Sequence, residues 1–231
     1  MKSQIRKRIE AVKKNRSQEL NLCDFNLTTF PLEICNLHNL SHLHIGNNKI
    51  TQLPQQIGRL RNLVYLYLGR NQLTTLPREF TSLSKLRELY LGWNKFATIP
   101  KEIHQLQNLE ELYIYYNQIS KLSGNIAQLS TLKDLRVGGN KITSLPDELW
   151  KMTHLEALDL GNNLLKVIPR EIGQLRNLNY LDLAMNQMTN LPEELKHLQN
   201  LKELYLEDNP NLHLPTKALH SLLGKLKKLR F

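Results

Sequence analysis

The chain has 231 residues, 41% hydrophobic and 23% charged, a composition that excludes a disordered segment and suits one soluble domain or one elongated array. No apolar run reaches the roughly 18 residues that a membrane-spanning helix needs, and two cysteines, Cys23 and Cys35, are too few for a disulfide framework. The formal net charge of +10 points to nucleic acid or anionic membrane only until it is resolved by position: residues 1–19 hold seven Lys/Arg against two acids, residues 216–231 hold five against none, and residues 20–215 balance 19 bases with 19 acids.

The first predicted element is an amphipathic helix within residues 1–19. Ile5, Ile9 and Val12 fall on one face, opposite Arg6, Lys7, Arg8, Lys13 and Lys14. The segment is charged where a signal peptide would be apolar, so a cytoplasmic, reducing location is expected, although a non-classical export route would leave no such mark. It reads as a cap over the first coil of an array, with a basic helix for anionic membranes as the other reading.

From residue 20 the sequence repeats. Leu20, Leu43, Leu66, Leu89, Leu112, Leu135, Leu158, Leu181 and Leu204 recur every 23 residues without an insertion. Each is followed two residues later by Leu, Ile or Val, and five residues later by Asn in every case but the first, where Phe25 stands. Alternation about the leading leucine predicts a short strand with one apolar face. A strand so short cannot bury that face alone, but stacked coils make a continuous parallel sheet and a continuous core. The asparagine fits a buried amide that satisfies backbone groups of a tight turn, and Phe25 fits an end coil with no predecessor to bond.

In the second half of each coil, Pro31, Pro54, Pro77, Pro100, Pro146, Pro169, Pro192 and Pro215 share one register, which suits the start of a short helical turn. Ile57, Phe80, Ile103 and Ile172 then close the core three residues on. The one interior departure is Ser123-Gly124-Asn125, read as drift at an exposed position or as a local adjustment beside Tyr115 and Tyr116.

The combined pattern, L-x-x-L-x-x-L-x-L-x-x-N followed by L-P-x-x-I, resembles the leucine-rich repeat family over nearly the whole chain, and within it the intracellular 23-residue LPxxI type of the Ras-signalling and Scribble-like group and of short bacterial repeat proteins. It departs from the shorter L-P-x-L-P repeats of bacterial ubiquitin-ligase effectors and from extracellular receptors with cysteine-rich caps. The resemblance implies an α/β repeat solenoid: a curved arc with its parallel sheet on the concave face and short helical or irregular turns on the convex face. The expected organisation is a cap helix in 1–19, nine repeats in 20–215, and a C-terminal cap in 216–231. There Leu223, Leu226, Leu229 and Phe231 read either as a partial tenth strand or as a continuing helix. The implied function is a non-enzymatic scaffold, monomeric by itself, without cofactor or metal, whose concave face grips another protein. A membrane-associated protein, or a translocated bacterial effector that binds a host protein, is the alternative.

The solvent-facing strand positions form columns that carry the non-repetitive chemistry. Tyr67, Tyr90 and Tyr113 follow the leader in successive coils, and Tyr65, Tyr115, Tyr116 and Trp93 stand close by. Arg70 and Arg136 flank them, and Asp159 and Asp182, with Glu203, Glu207 and Asp208, make the C-terminal end acidic. Tyr, Trp and Arg dominate binding energy at protein interfaces, so this patch is the predicted partner site; an acidic flank would orient a basic segment of the partner. Aromatics that merely pack on one another are the competing reading. His42, His44, Cys23 and Asp24 lack a regular metal-ligand spacing, no enclosed cleft would make Cys23 a nucleophile, and bases confined to the ends argue against nucleic acid.

Overall fold

The computed structural model describes residues 2–213, 224 and 226–230. Helix α1, Lys2–Asn15, is followed by ten three-residue strands: β1 Glu19–Asn21, β2 His42–His44, β3 Tyr65–Tyr67, β4 Glu88–Tyr90, β5 Glu111–Tyr113, β6 Asp134–Arg136, β7 Ala157–Asp159, β8 Tyr180–Asp182, β9 Glu203–Tyr205 and β10 Lys228–Arg230. They form one open parallel sheet in chain order. Leu20 pairs with Leu43, Leu43 with Leu66, and so on to Leu181 with Leu204, so the register from β1 to β9 is the sequence period itself. The two-residue lengthening of the last coil is absorbed before β10, where Leu229 pairs with Leu204. Pro215, Leu223, Lys225 and Phe231, and with them most of the expected C-terminal cap, lie outside the described residues.

Every leader and nearly every residue two positions beyond it is wholly buried in a single continuous core. On the convex side each of the first eight coils makes one turn of 3-10 helix, as at Gln55–Arg59 and Arg78–Ser82, in most of them with proline in extended backbone just before it. Proline suits that place because its φ is already fixed near the required value and its missing N–H is not needed there. Wide turns on one side and strands about 4.8 Å apart on the other bend the stack into an arc. The Pro100 coil differs: its 3-10 turn begins only at Ile103. At the non-proline coil, Ser123 keeps the same extended backbone and its hydroxyl accepts the Asn125 N–H, so the turn Gly124–Gln128 starts as the others do.

The buried asparagines explain how coils lock together. Asn94 Oδ1 accepts the Leu73 N–H at 2.9 Å, while its Nδ2 donates to the carbonyls of Leu68, Leu91 and Gly92. The same four-bond arrangement recurs from Asn48 to Asn209. A second, more exposed series runs beside it: Asn62, Asn108, Asn177 and Asn200 each donate to a carbonyl 24 residues earlier. Phe25, which lacks an amide, packs against the core with the Arg8 guanidinium 4.8 Å above its ring. Ile5 and Ile9 of α1 are buried in that same core, and Val12 packs against it.

One convex residue is held in an uncomfortable state. His104 is 3% exposed and neither ring nitrogen has a hydrogen-bond partner among the described residues. Burial pushes its pKa below the ordinary histidine value, with Glu102 opposing. As pH falls through the unfolded value near 6.5, the unfolded chain takes up a proton that the buried ring refuses, so folding stability drops. Replacing His104 by Leu is expected to flatten this acid limb: the gap in Tm between variant and parent should widen from pH 7 to pH 5 in the variant's favour. A constant gap would show that His104 does not titrate with unfolding.

Candidate functional site on the concave sheet

The side chains on either side of each leader face out of the sheet, and constant register brings residues 23 apart into contact. Tyr90 and Tyr113 stack with ring centroids 4.5 Å apart and planes within 6°. Tyr65 lies 5.1 Å from Tyr90 and 4.7 Å from His44, and Tyr67 meets Tyr90 edge-on at 6.0 Å. Arg136 extends the row, its guanidinium 5.5 Å from the Tyr113 centroid and 4.7 Å from that of Tyr180, and Tyr180 leads on to Tyr205. Tyr180 stands one residue before its leader and Tyr205 one after, yet nothing in that spacing shows that an arginine bridges them to the central tyrosines.

This inner row is wired to carboxylates. The Tyr90 hydroxyl donates to Glu88 and Glu111, and the Tyr113 hydroxyl to Glu111 and Asp134, each at 3.0 to 3.3 Å. Burial and the adjacent carboxylates push both phenols far above the ordinary tyrosine range. Arg136 forks onto Asp134 with three contacts of 3.0 to 3.2 Å, which outweigh the burial that opposes its charge. These residues are half-buried and mutually satisfied.

The glycine lane three positions beyond the leader has a steric reason. A Cβ on Gly46 would stand 2.1 Å from the Tyr67 ring, one on Gly92 2.7 Å from the Tyr115 ring, and one on Gly138 2.6 Å from the Asp159 carboxylate. Large side chains of one column therefore lie flat over bare backbone in the next.

The outer column behaves differently. Asp24, Asn47, Arg70, Trp93, Tyr116, Gly139, Asn162, Met185 and Asp208 all have φ between 49° and 65°. From Asn47 to Met185 the N–H at this bend donates to the following coil, as in Trp93 N–H to Tyr115 O at 2.9 Å and Tyr116 N–H to Gly138 O at 2.8 Å. Glycine and, less easily, asparagine tolerate that conformation, whereas bulky residues adopt it at a cost of about 1–2 kcal/mol. Trp93 and Tyr116 nevertheless occupy it and stay 43% and 42% exposed. Their rings stack 4.0 Å apart with Arg70 5.2 Å from the Trp93 centroid on the other side, and Tyr115 meets Tyr116 edge-on.

Toward the C-terminal end, Asp159 Oδ1 accepts the Gly161 N–H and Asp182 Oδ1 the Ala184 N–H, both at 2.9 Å. Burial and the neighbouring Asp182 push the Asp159 carboxyl up to about 6, against the pull of the Gly161 N–H and Arg136; Asp134 adds to the rise. A folded-state pKa above the unfolded one means that this carboxyl's contribution to stability is fully present below about 4 and is lost as pH rises from about 4 through about 6. Asp159→Asn keeps the bond to Gly161 and removes the charge. It is expected to stabilise the chain on the order of 1–2 kcal/mol at pH 7.5 and to match the parent at pH 4. Equal gaps at the two pH values in chemical denaturation would contradict this.

All eleven residues of the predicted patch thus lie on the solvent side of the sheet or its outer margin. The central tyrosines and Arg136 form one row, Arg70, Trp93 and Tyr116 a separate exposed stack, and Asp159 and Asp182 a carboxylate pair beyond them. Cys23 and His42/His44 stand at the N-terminal end of the face, and among the described residues no three His, Cys, Asp or Glu side chains are arranged to hold a metal ion.

The leucine-rich repeat pattern matches residues 38–96, and the leucine-rich repeat region pattern residues 78–166 and 118–231. No curated protein matches the chain. A leucine-rich repeat protein of Leptospira interrogans is 33% identical, with 95% of this chain covering 67% of that one at a TM-score of 0.74. Internalin C2 of Listeria monocytogenes is 26% identical over 82% of this chain and 80% of its own, with a TM-score of 0.72. The Arabidopsis receptor kinase HAESA, solved with a peptide hormone and a co-receptor, is 26% identical over 83% of this chain, with a TM-score of 0.69; the match spans only 38% of the receptor's chain.

Proposed function

The chain belongs to the leucine-rich repeat family, and from that premise we propose that it is a non-enzymatic protein-binding module of the intracellular 23-residue LPxxI type, gripping its partner through the aromatic surface of the concave face. The observation that carries the reading is the exposed Trp93–Tyr116 stack in left-handed backbone. Coils with Asn47, Gly139 or Asn162 at that place make the same bend with less strain. Stacking contributes about 0.5–1.5 kcal/mol beyond burial, which only offsets the strain, so the two rings add little to stability. What they do offer is large, rigid, half-exposed apolar area with Arg70 beside it, the material of interface hot spots. The solved relatives support the reading in kind: the HAESA structure contains a bound peptide and a second protein.

The inner tyrosine row serves as the stiff floor of this surface, its hydroxyls already committed to Glu88, Glu111 and Asp134. A membrane role for α1 is disfavoured because Ile5 and Ile9 are spent on the core. An effector that binds a host protein would use the same surface. Quantitative crosslinking capture from lysate, with the parent chain beside a Trp93→Asn, Tyr116→Asn variant, tests the proposal. Proteins retained by the parent and lost with the variant support it, and identical captured sets overturn it.

A further inference from the structure

Beside the aromatic stack, the C-terminal half of the concave face holds a cavity of about 410 Å³. Tyr115 and Tyr116 form its N-terminal wall, Gly138 and Gly161 its bare floor, and Met185 and Glu207 its far side. The Asp159 and Asp182 carboxylates lie over that floor, each using Oδ1 on a backbone N–H, and Asp182 Oδ2 also accepts a long bond of 3.4 Å from the Tyr180 hydroxyl. Arg136 borders the cavity, but its guanidinium is taken by Asp134 and packed between Tyr113 and Tyr180. Among the described residues Asp159, Asp182, Glu207 and Asp208 form no ion pair, and Glu207 Oε2 is buried without a hydrogen-bond partner. An apolar-walled cavity that concentrates unpaired carboxylates and an orphaned buried acceptor is complementary to a cation with several donors.

We propose that the cavity takes an arginine side chain of the protein partner, the guanidinium lying against the Tyr116 ring and donating to the carboxylates of Asp159 and Asp182. This rests on the protein-binding reading above and specifies the partner: a segment that presents arginine toward the C-terminal half of the arc. A guanidinium fits better than an ammonium because it is planar, is less strongly hydrated, stacks on an aromatic face and forks onto two acceptors. A hard metal cation is the poorer occupant, since among the described residues no three His, Cys, Asp or Glu side chains converge to hold a metal ion, and tyrosine rings and a thioether fill part of the wall. The raised Asp159 pKa fits as well, for a buried carboxylate that makes no ion pair and feels only the partial pull of Arg136 gains most when a cation arrives.

The test titrates the full-length ¹⁵N-labelled chain at pH 7.5 and near-physiological salt with Ac-Gly-Arg-Gly-NH₂, its lysine counterpart and its uncharged citrulline counterpart. The arginine peptide is expected to shift the amides of Gly138, Gly139 and Gly161, to bind at least about threefold more tightly than the lysine peptide, and to lose at least about tenfold in Asp159→Asn, Asp182→Asn. The citrulline peptide should leave those amides unmoved. Equal binding of the citrulline peptide, shifts confined to other surfaces, an unaffected double variant, or calcium chloride reproducing the shifts and displacing the peptide would each overturn the assignment. Failure here with Trp93-dependent capture intact removes only the arginine cavity, whereas arginine binding without Trp93-dependent capture removes the protein-binding surface and leaves a cation site.

Discussion

Trp93→Asn combined with Tyr116→Asn is expected to abolish partner capture while the melting temperature stays within a few degrees of the parent. The stability side follows from the backbone: both positions have φ near +55°, where Asn is tolerated several-fold better than an ordinary residue. Relief of about 1 kcal/mol of strain at each site opposes the loss of one stacked pair, worth about 0.5–1.5 kcal/mol beyond its burial. Both rings are more than 40% exposed, so the transfer free energy lost with them is well below that of a core aromatic. The binding side is asymmetric, because truncating interface Trp and Tyr typically costs 2 kcal/mol or more each, which gives at least about a hundredfold loss of affinity for the pair. A drop of ten degrees or more in Tm would mean that the rings hold the arc together, and the competing reading of self-packing aromatics would then stand.

The second large effect is structural. Asn117→Ala in the central coil is expected to cost about 3–5 kcal/mol and to make unfolding lose its single cooperative step. The amide accepts from Phe96 N–H at 3.0 Å and donates to Leu91, Ile114 and Tyr115 carbonyls at 3.1 to 3.2 Å, in a site 9% exposed. Alanine orphans the Phe96 N–H where water has little access, at about 1–3 kcal/mol, and removes one of two bonds from each of three carbonyls, at about 0.5–1.5 kcal/mol apiece: Leu91 O keeps Asn94 Nδ2, Ile114 O keeps Asn140 Nδ2 and Tyr115 O keeps the Trp93 N–H. Asn117→Asp should be no better, since it restores the acceptor but sets a carboxylate against three carbonyl oxygens. Because each coil touches only its neighbours, a weak joint in the middle lets the two halves melt separately. A single sharp calorimetric transition shifted by less than a degree would refute the account.

Much of this architecture is readable in the residues. The unbroken spacing from Leu20 to Leu204 fixes strand positions and register together, because in a parallel stack one period does both. The asparagine's burial also follows from sequence, since a polar residue at a fixed place beside two apolar ones has no other reason to recur. Even the left-handed column was marked by Asn47, Gly139 and Asn162, residue types that favour φ > 0, although a list of side chains in a column conceals that Trp93 and Tyr116 share their backbone.

Other features depend on where side chains lean, which a period does not specify. Arg136 turns back onto Asp134 and bridges Tyr113 to Tyr180, so it belongs to the floor and leaves the neighbouring carboxylates unpaired. The cavity beside Tyr116 exists because Gly138 and Gly161 lie next to Asp159 and Asp182, a combination of two columns that neither shows alone. The exposed series of Asn62, Asn108, Asn177 and Asn200 was hidden by its interruptions at Lys85, Thr131 and His154. At the open end of the array, Phe25 trades an amide for an aromatic surface under Arg8, a packing choice that only contact with α1 reveals.

The buried amides also give the array a direction. Each reaches back to carbonyls 26 residues before it, as Asn48 does to Leu22 and Asn209 to Leu183. A coil can therefore complete its polar joint only after its predecessor is in place, while the predecessor's own amide has no need of its successor. Translation delivers the coils in that same order, so the horseshoe can lengthen one finished unit at a time behind the ribosome, and shortening it from the C-terminal side leaves every surviving amide with its carbonyls.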